Sequence, residues 1–120
     1  MTRDMDLVRK ILLKMEASPS GYADSAFQVE GFDDEVVGHH VYLMEQGGLI
    51  TAIDVSNNSV DSPIALPSSI TWAGHEFLAA SHEPAVWNRG LALAKKAGST
   101  ALPVVLQALM KVAIERLEKP

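Results

Sequence analysis

The 120-residue sequence contains no cysteine, which excludes disulfide bonds, thiolate nucleophiles and cysteine-based zinc sites. Aromatic residues are few: three phenylalanines, two tyrosines and two tryptophans. No uncharged stretch is long enough to span a membrane, and the first six residues carry two acids where a signal peptide needs a basic flank. With 48% hydrophobic and 21% charged residues, the composition is that of one globular domain, which we expect in the cytoplasm.

Basic residues are absent from a long central stretch. Between Lys14 and Arg89 the chain has no lysine or arginine, although these 74 residues contain eleven acidic side chains. The net charge is −5, and the basic residues are confined to the two ends of the chain. A surface built from the central stretch therefore repels phosphate.

Hydrophobic periodicity predicts five helices, which cover approximately residues 5–17, 34–46, 71–83, 84–97 and 100–118. Asp33 and Asp34 are predicted to cap the second helix, and two glycines end it. Ser69 or Thr71 is predicted to begin the third.

Three segments have the pattern of extended chain. Residues 26–30 alternate apolar and polar side chains, which predicts a short strand with Phe27 and Val29 facing inward. Residues 49–55 and 60–70 predict a two-stranded ribbon with a turn between them, in which two prolines loosen the return strand.

The order of these elements predicts an α+β, mostly helical fold. Residues 1–83 are expected to form a winged-helix-like core with the two-stranded β-ribbon as its wing. Residues 84–120 are expected to form a C-terminal helical extension that packs on this core within the same folded unit.

Three motifs resemble a known family: RDMDLVRKIL at residues 3–12, HVYLMEQGGLI at 40–50, and ITWAGHEFL at 70–78 followed by Val86 and Trp87. In this combination the chain is similar to domain of unknown function family 2513, small proteins of bacteria, phages and prophages. The resemblance implies a winged-helix-like fold and a mobile-element setting. It implies no established activity.

The segment at 40–50 is also similar to the end of the recognition helix in winged-helix transcription regulators. The second predicted helix differs from such recognition helices because it contains no lysine or arginine, and both phosphate contacts and guanine readout need cations. We therefore expect this face to bind a protein. The predicted partner-binding residues are Asp34, Glu35, His39, Tyr42, Glu45 and Trp87.

The candidate catalytic and metal-binding motifs in the sequence are incomplete. His75 and Glu76 begin like a zinc-protease helix, but alanine stands where the second histidine is needed. His75 and His82 lie two helical turns apart, about 10.5 Å along the axis, which is too far to share a metal ion. Of the adjacent His39 and His40, one is expected inside the packing and one in solvent. We expect no enzyme activity, no metal and no cofactor.

Several residues of the third and fourth helices are expected to serve packing. Trp72, Phe77 and Trp87 are predicted to lie in the core or between segments, although an exposed Trp87 would be an interface anchor. Gly74 weakens its helix by about 1 kcal/mol, which favours close approach of another backbone at this position.

The last helix is apolar nearly all round, whereas a surface helix of a monomer is apolar on one face only. We therefore expect it to be buried on more than one side, either against a second copy in a homodimer or centrally within a monomer. The residues predicted to form the dimer contact are Leu102, Val105, Leu106, Leu109, Met110 and Ile114.

Two functions remain open at this point. The first is a non-enzymatic regulatory or interaction protein of a phage or mobile element, whose acidic middle binds a host or phage protein. The alternative is a dimeric winged-helix regulator that binds DNA. Its phosphate contacts would come from Arg9, Lys10, Lys14, Lys95 and Lys96.

Overall fold

The computed structural model describes residues 2–17, 27–56 and 62–118. Its helices and strands are α1 (Met5–Ala17), α2 (Asp34–Gln46), β1 (Ile50–Asp54), β2 (Ala65–Ile70), α3 (Trp72–Ser81), α4 (Pro84–Lys96) and α5 (Leu102–Glu118). The fold is α+β and mostly helical, with a winged-helix-like arrangement of α1, α2 and the β1–β2 ribbon. The chain divides into two compact units, Met1–His75 and Glu76–Pro120. This division falls within α3, ahead of the expected boundary after residue 83.

The core of the first unit lies between α1, α2 and the ribbon. Apolar residues at helical spacing turn one face of α1 inward, and α2 contributes a shorter apolar stripe that also meets both strands. The buried residues of the two helices are Met5, Leu7, Val8, Ile11, Leu12, Met15, Val37, His40, Val41 and Met44.

One of these buried residues is a histidine that joins α1 to α2. The backbone N–H of Asp4 donates to Nε2 of His40 at 2.9 Å, and Nδ1 of His40 lies 2.9 Å from the Val36 carbonyl oxygen. Because a backbone N–H can only donate, Nε2 carries a lone pair and Nδ1 carries the proton. The expected histidine inside the packing is thus His40, whereas His39 beside it is half-buried and not in solvent.

The ribbon is antiparallel, with Ile50 opposite Ile70 and Asp54 opposite Ala65. Its register shifts between Thr51 and Ala52, so that Ala52 pairs with Pro67. Proline is tolerated in this short sheet, where it lies beside the irregularity. The predicted turn of the ribbon lies mostly outside the described residues.

The strand predicted at 26–30 is wrong over its described part, because residues 27–29 have no regular secondary structure. Val29 is nevertheless buried and Phe27 half-buried, so the alternating pattern reports inward-facing side chains. The Lys14 ammonium lies over the Phe27 ring and donates to the Gln28 carbonyl oxygen. This carbonyl therefore bonds a side chain of α1 at the point where a strand was expected.

In the second unit, α4 packs closely against α5. A Cβ atom built on Gly90 would lie 3.2 Å from the Leu109 Cα atom, so glycine at this position lets the two helices approach. Trp87 is buried and meets Phe77 edge to face, with ring centroids 5.8 Å apart. The predicted core positions of these two aromatic residues are confirmed.

Candidate functional site

The candidate site is the outward face of α2. Asp33 takes the N-cap position with extended backbone but makes no side-chain cap hydrogen bond, so the expected capping contact is wrong there. Asp34 and Glu35 lie in the first turn, where the positive end of the helix dipole favours carboxylates. The Gln28 side-chain amide donates to Asp34 at 3.3 Å. The N-terminal end of the face is thus acidic.

The middle of the face is aromatic and is tied to the ribbon side of the unit. His39 Nδ1 donates to the Pro63 carbonyl oxygen at 2.8 Å, and its ring stacks on Tyr42 at 6.2 Å between centroids. The Tyr42 hydroxyl accepts from the Gln46 amide at 3.1 Å. These contacts fix both rings, so the predicted pair His39 and Tyr42 forms one rigid surface.

The C-terminal end of the face carries Glu45, which is exposed. The helix ends in a tight turn in which Gly48 has a positive φ of 82° and the Leu49 N–H donates to the Met44 carbonyl oxygen at 3.0 Å. The start of α3 docks on this turn: the Thr71 hydroxyl donates to the Gly48 carbonyl oxygen at 2.5 Å.

Gly74 completes the same junction. A Cβ atom built on Gly74 would lie 2.7 Å from Ile70 Cγ2 and 3.1 Å from the Leu49 carbonyl carbon. The Gly74 N–H donates to the Thr71 hydroxyl at 3.1 Å, which identifies Thr71 as the residue that caps α3. The expected close approach of another backbone at Gly74 is confirmed.

The two tryptophans differ sharply in exposure, and each contradicts one expectation. Trp87 is only 2% exposed, so its place among the partner-binding residues is wrong: a partner cannot reach it. Trp72, expected in packing, is 82% exposed. The sequence signal that could have shown the exposure of Trp72 is the position of Thr71, which caps α3, together with that of Gly74. Since Gly74 faces Leu49, Trp72 two residues earlier points to the opposite side of α3.

The lysines of α1 proposed for DNA contact lie against aromatic rings of the following segment. The Lys10 ammonium is 5.4 Å from the Phe32 centroid, and the Lys14 ammonium is 5.2 Å from the Phe27 centroid. Arg9 is half-buried. Phosphate binding by either lysine would therefore compete with an internal cation–π contact.

The other cations proposed for DNA contact belong to the second unit. Lys95 and Lys96 are exposed in the last turn of α4. Lys96 also lines a groove of about 440 Å³ between α4 and α5, together with Arg89 and Lys111. Arg89 makes a long ion pair with Glu115, at 3.7 Å. The groove therefore has an excess of positive charge.

The residues predicted for dimer contact divide into two sets. Val105 and Leu109 are fully buried, and Leu109 packs against Gly90 of α4. Met110 and Ile114 are 58% and 51% exposed, and Leu102 and Leu106 are half-buried. Leu117, which the sequence analysis did not single out, is 85% exposed. α5 is thus not buried on all sides within a single chain. The alternative that α5 lies centrally within a monomer is wrong.

In the described part of the chain, few polar side chains line the cavity beside α2. A cavity of about 260 Å³ between α2 and the ribbon is lined mainly by apolar groups, with Gln28 and Asp34 as its polar members. Among the described residues, no three histidine or acidic side chains converge as metal ligands. His75 and His82 are both exposed. No helix of the described residues is both long and apolar enough to cross a membrane.

These features define an α+β, mostly helical protein with a winged-helix-like arrangement, in which the outward face of α2 presents carboxylates and fixed aromatic rings. The chain belongs to the family described as "Hypothetical protein (DUF2513)", whose model matches residues 2–100. It is similar to an uncharacterized protein of Haemophilus influenzae, with 37% identity over 121 residues that cover 94% of this chain and 92% of that protein. No solved structure matches the chain.

Proposed function

We propose that this is a non-enzymatic regulatory or interaction protein that binds a basic surface of a partner protein through the outward face of α2. The observation that carries this proposal is the charge of the face. Carboxylates lie at both ends of α2, and the sequence has no lysine or arginine from residue 15 to residue 88. A basic partner is attracted at both ends of the helix, whereas phosphate is repelled.

The structure of the face supports binding in preference to chemistry. His39 and Tyr42 are held by hydrogen bonds and stacking, so a partner meets a preorganised surface and orders few side chains on binding. The cavity beside α2 is mainly apolar. The resemblance to phage and prophage proteins supports a mobile-element setting, with a host or phage protein in the cytoplasm as the partner.

Partner binding is tested by charge reversal at two ends of the face. Asp34→Lys together with Glu45→Lys should abolish recovery of the partner in quantitative affinity purification from the producing cells. Glu76→Lys together with Glu118→Lys changes the net charge equally at exposed acids outside α2 and should leave recovery unchanged. Equal loss of the partner in both double variants would refute the assignment of this face. Unchanged recovery in both would refute it as well.

We also propose a homodimer that forms through α5. Met110, Ile114 and Leu117 follow one another at spacings of four and three and are all exposed, which is the pattern of a helix–helix seam. In light scattering after size exclusion, Ile114→Lys with Leu117→Lys should halve the mass. Gln107→Lys, an exposed polar position of the same helix, should not. A wild-type monomer would refute the dimer.

The basic groove of the second unit supports one alternative, a DNA-binding regulator that uses Lys95 and Lys96. Anisotropy of labelled duplex DNA between about 50 and 200 mM salt separates the two functions. Under the leading proposal, duplex DNA does not bind. Under the alternative, affinity falls steeply with salt and is lost in Lys95→Glu with Lys96→Glu.

A further inference from the structure

The basic groove between α4 and α5 combines exposed cations with an apolar floor. Its charged members are Arg89, Lys96, Lys111 and Glu115. Its apolar members are Ala92, Leu93 and Val112. The lysines and Arg89 are exposed, whereas Leu93 is half-buried and Val112 is buried. The groove of about 440 Å³ therefore has basic edges and an apolar base.

One side of the groove is a stripe of α4. Arg89, Leu93 and Lys96 follow one another at spacings of four and three residues, so they lie on the same side of the helix. Seven residues of α-helix rise about 10.5 Å along the axis. The two cations of α4 are therefore about two turns apart, with the apolar side chain between them.

The other side of the groove belongs to α5. Lys111 and Glu115 are one helical turn apart, and the buried Val112 lies beside them. The two helices approach closely at Gly90, where a Cβ atom would lie 3.2 Å from the Leu109 Cα atom. This close packing fixes both sides of the groove relative to each other, so the groove exists before any ligand binds.

Most of the positive charge in the groove is not compensated. Arg89 and Glu115 form an ion pair at 3.7 Å, with side chains that are 56% and 41% exposed, and a pair of this kind contributes little. Neither Lys96 nor Lys111 makes an ion pair with a residue in the described part of the chain. An acidic ligand therefore gains the attraction of both lysines without breaking an internal contact.

We propose that this groove binds an acidic amphipathic helix of a partner protein. The inference goes beyond the proposed function, because it assigns a second binding surface, of opposite charge to the α2 face, to the other unit. A groove between two packed helices accepts a third helix whose apolar face covers the base of the groove. Carboxylates on the flanks of that helix meet the cations at the edges.

An acidic helix fits the groove better than duplex DNA does. A sugar–phosphate backbone offers few apolar groups to cover Ala92 and Leu93, and it carries a phosphate at every nucleotide, so that Glu115 repels it. A helix can leave the position opposite Glu115 uncharged. A purely apolar helix is also a poor ligand, because it would remove water from the lysines without pairing them.

The test uses the full chain and a labelled, stapled helical peptide that carries leucine on one face and glutamate on both flanks of that face. One counterpart has glutamine in place of every glutamate, and another has serine in place of every leucine. In fluorescence anisotropy the first peptide should bind saturably. Each counterpart should bind at least about tenfold more weakly, because it lacks one of the two attractions of the groove.

Two charge reversals on α5 locate the bound peptide. Lys111 lines the groove, whereas Arg116 does not and lies about 140° further around the helix. Both side chains are exposed, so the two reversals change the net charge equally. Lys111→Glu should weaken binding about tenfold, because it turns an attraction into a repulsion, and Arg116→Glu should change it less than about twofold. Both variants should keep the wild-type circular dichroism spectrum.

Four results would overturn the proposal. The first is the absence of saturable binding. The second is equal weakening by Lys111→Glu and Arg116→Glu, which would trace the attraction to overall charge. The third is equal affinity for the serine counterpart, which would exclude the apolar base of the groove from binding. These three leave the α2 face unaffected, because its Asp34 and Glu45 lie in the other unit. The fourth is tighter binding of labelled duplex DNA that is lost in Lys111→Glu, which would support the DNA-binding alternative instead.

Discussion

Replacing Gly74 with alanine should strongly destabilise the first unit, because the new methyl group has no space. Its Cβ atom would lie 2.7 Å from Ile70 Cγ2, 3.1 Å from the Leu49 carbonyl carbon and closer still to the Leu49 carbonyl oxygen. The Leu49 atoms belong to the backbone, so no change of rotamer relieves the clash. The junction of α3 with the end of α2 must open instead.

The size of the stability loss follows from two costs and one gain. Overpacking of this kind costs about 1–3 kcal/mol, and values near the upper end apply when backbone has to move. Moving Leu49 also strains the hydrogen bond that its carbonyl oxygen accepts from Thr71, a loss of about 1 kcal/mol. Alanine returns about 1 kcal/mol through its higher helix propensity. We expect a net loss of about 3 kcal/mol in the free energy of unfolding.

Urea denaturation followed by far-UV circular dichroism measures this loss, and two nearby glycines provide matched controls. Gly47 has φ −77° and its nearest contacts would be at 3.5 Å, so Gly47→Ala should change stability by less than about 0.5 kcal/mol. Gly48 has space but φ +82°, so Gly48→Ala should cost about 1 kcal/mol. If Gly74→Ala were as stable as Gly47→Ala, the close approach at Leu49 would be refuted.

Two further predictions concern the tryptophans and the ribbon. Trp87→Ala should cost about 4 kcal/mol in urea unfolding because it empties a buried site, whereas Trp72→Ala should stay within about 0.5 kcal/mol; equal effects would contradict the assigned burial. Hydrogen bonds from the hydroxyl and the N–H of Ser56 lower the pKa of Asp54. Ionised Asp54 therefore stabilises the fold at any pH above its ordinary pKa of about 4. This contribution is lost as the pH falls through the lowered pKa. In a carbon NMR titration, Ser56→Ala should raise the Asp54 pKa; an unchanged pKa would show that the hydroxyl has no part in it.

The helices could be predicted because each carries its own start and stop signals. α1 and α2 have the predicted bounds, since periodic apolar residues fill one face and a glycine pair ends α2. The segment before α2 could not be predicted, because alternation records which side chains face inward and not whether a second strand is available to pair. At residues 27–29 the inward side chains are present without strand structure.

The site was predictable in its charge and less so in its aromatic residues. The absence of lysine and arginine from α2 itself is a property of the sequence, and the acidic face follows from it directly. The positions of Trp72 and Trp87 depend on which side of each helix meets another segment. Both residues are tryptophans, so composition could not rank them; the contacts of Thr71 and Gly74 with Gly48 and Leu49 set the orientation of the start of α3.

His40 provides an internal spectroscopic probe of how α1 is held. While the Asp4 N–H occupies Nε2, the two ring nitrogens give the widely separated nitrogen chemical shifts of a single protonation pattern. Detachment of the start of α1 would free Nε2 and let the proton exchange between both nitrogens, which averages these shifts. Local opening at the start of α1 is therefore visible as averaging of the His40 ring nitrogen shifts in the native, nitrogen-labelled chain.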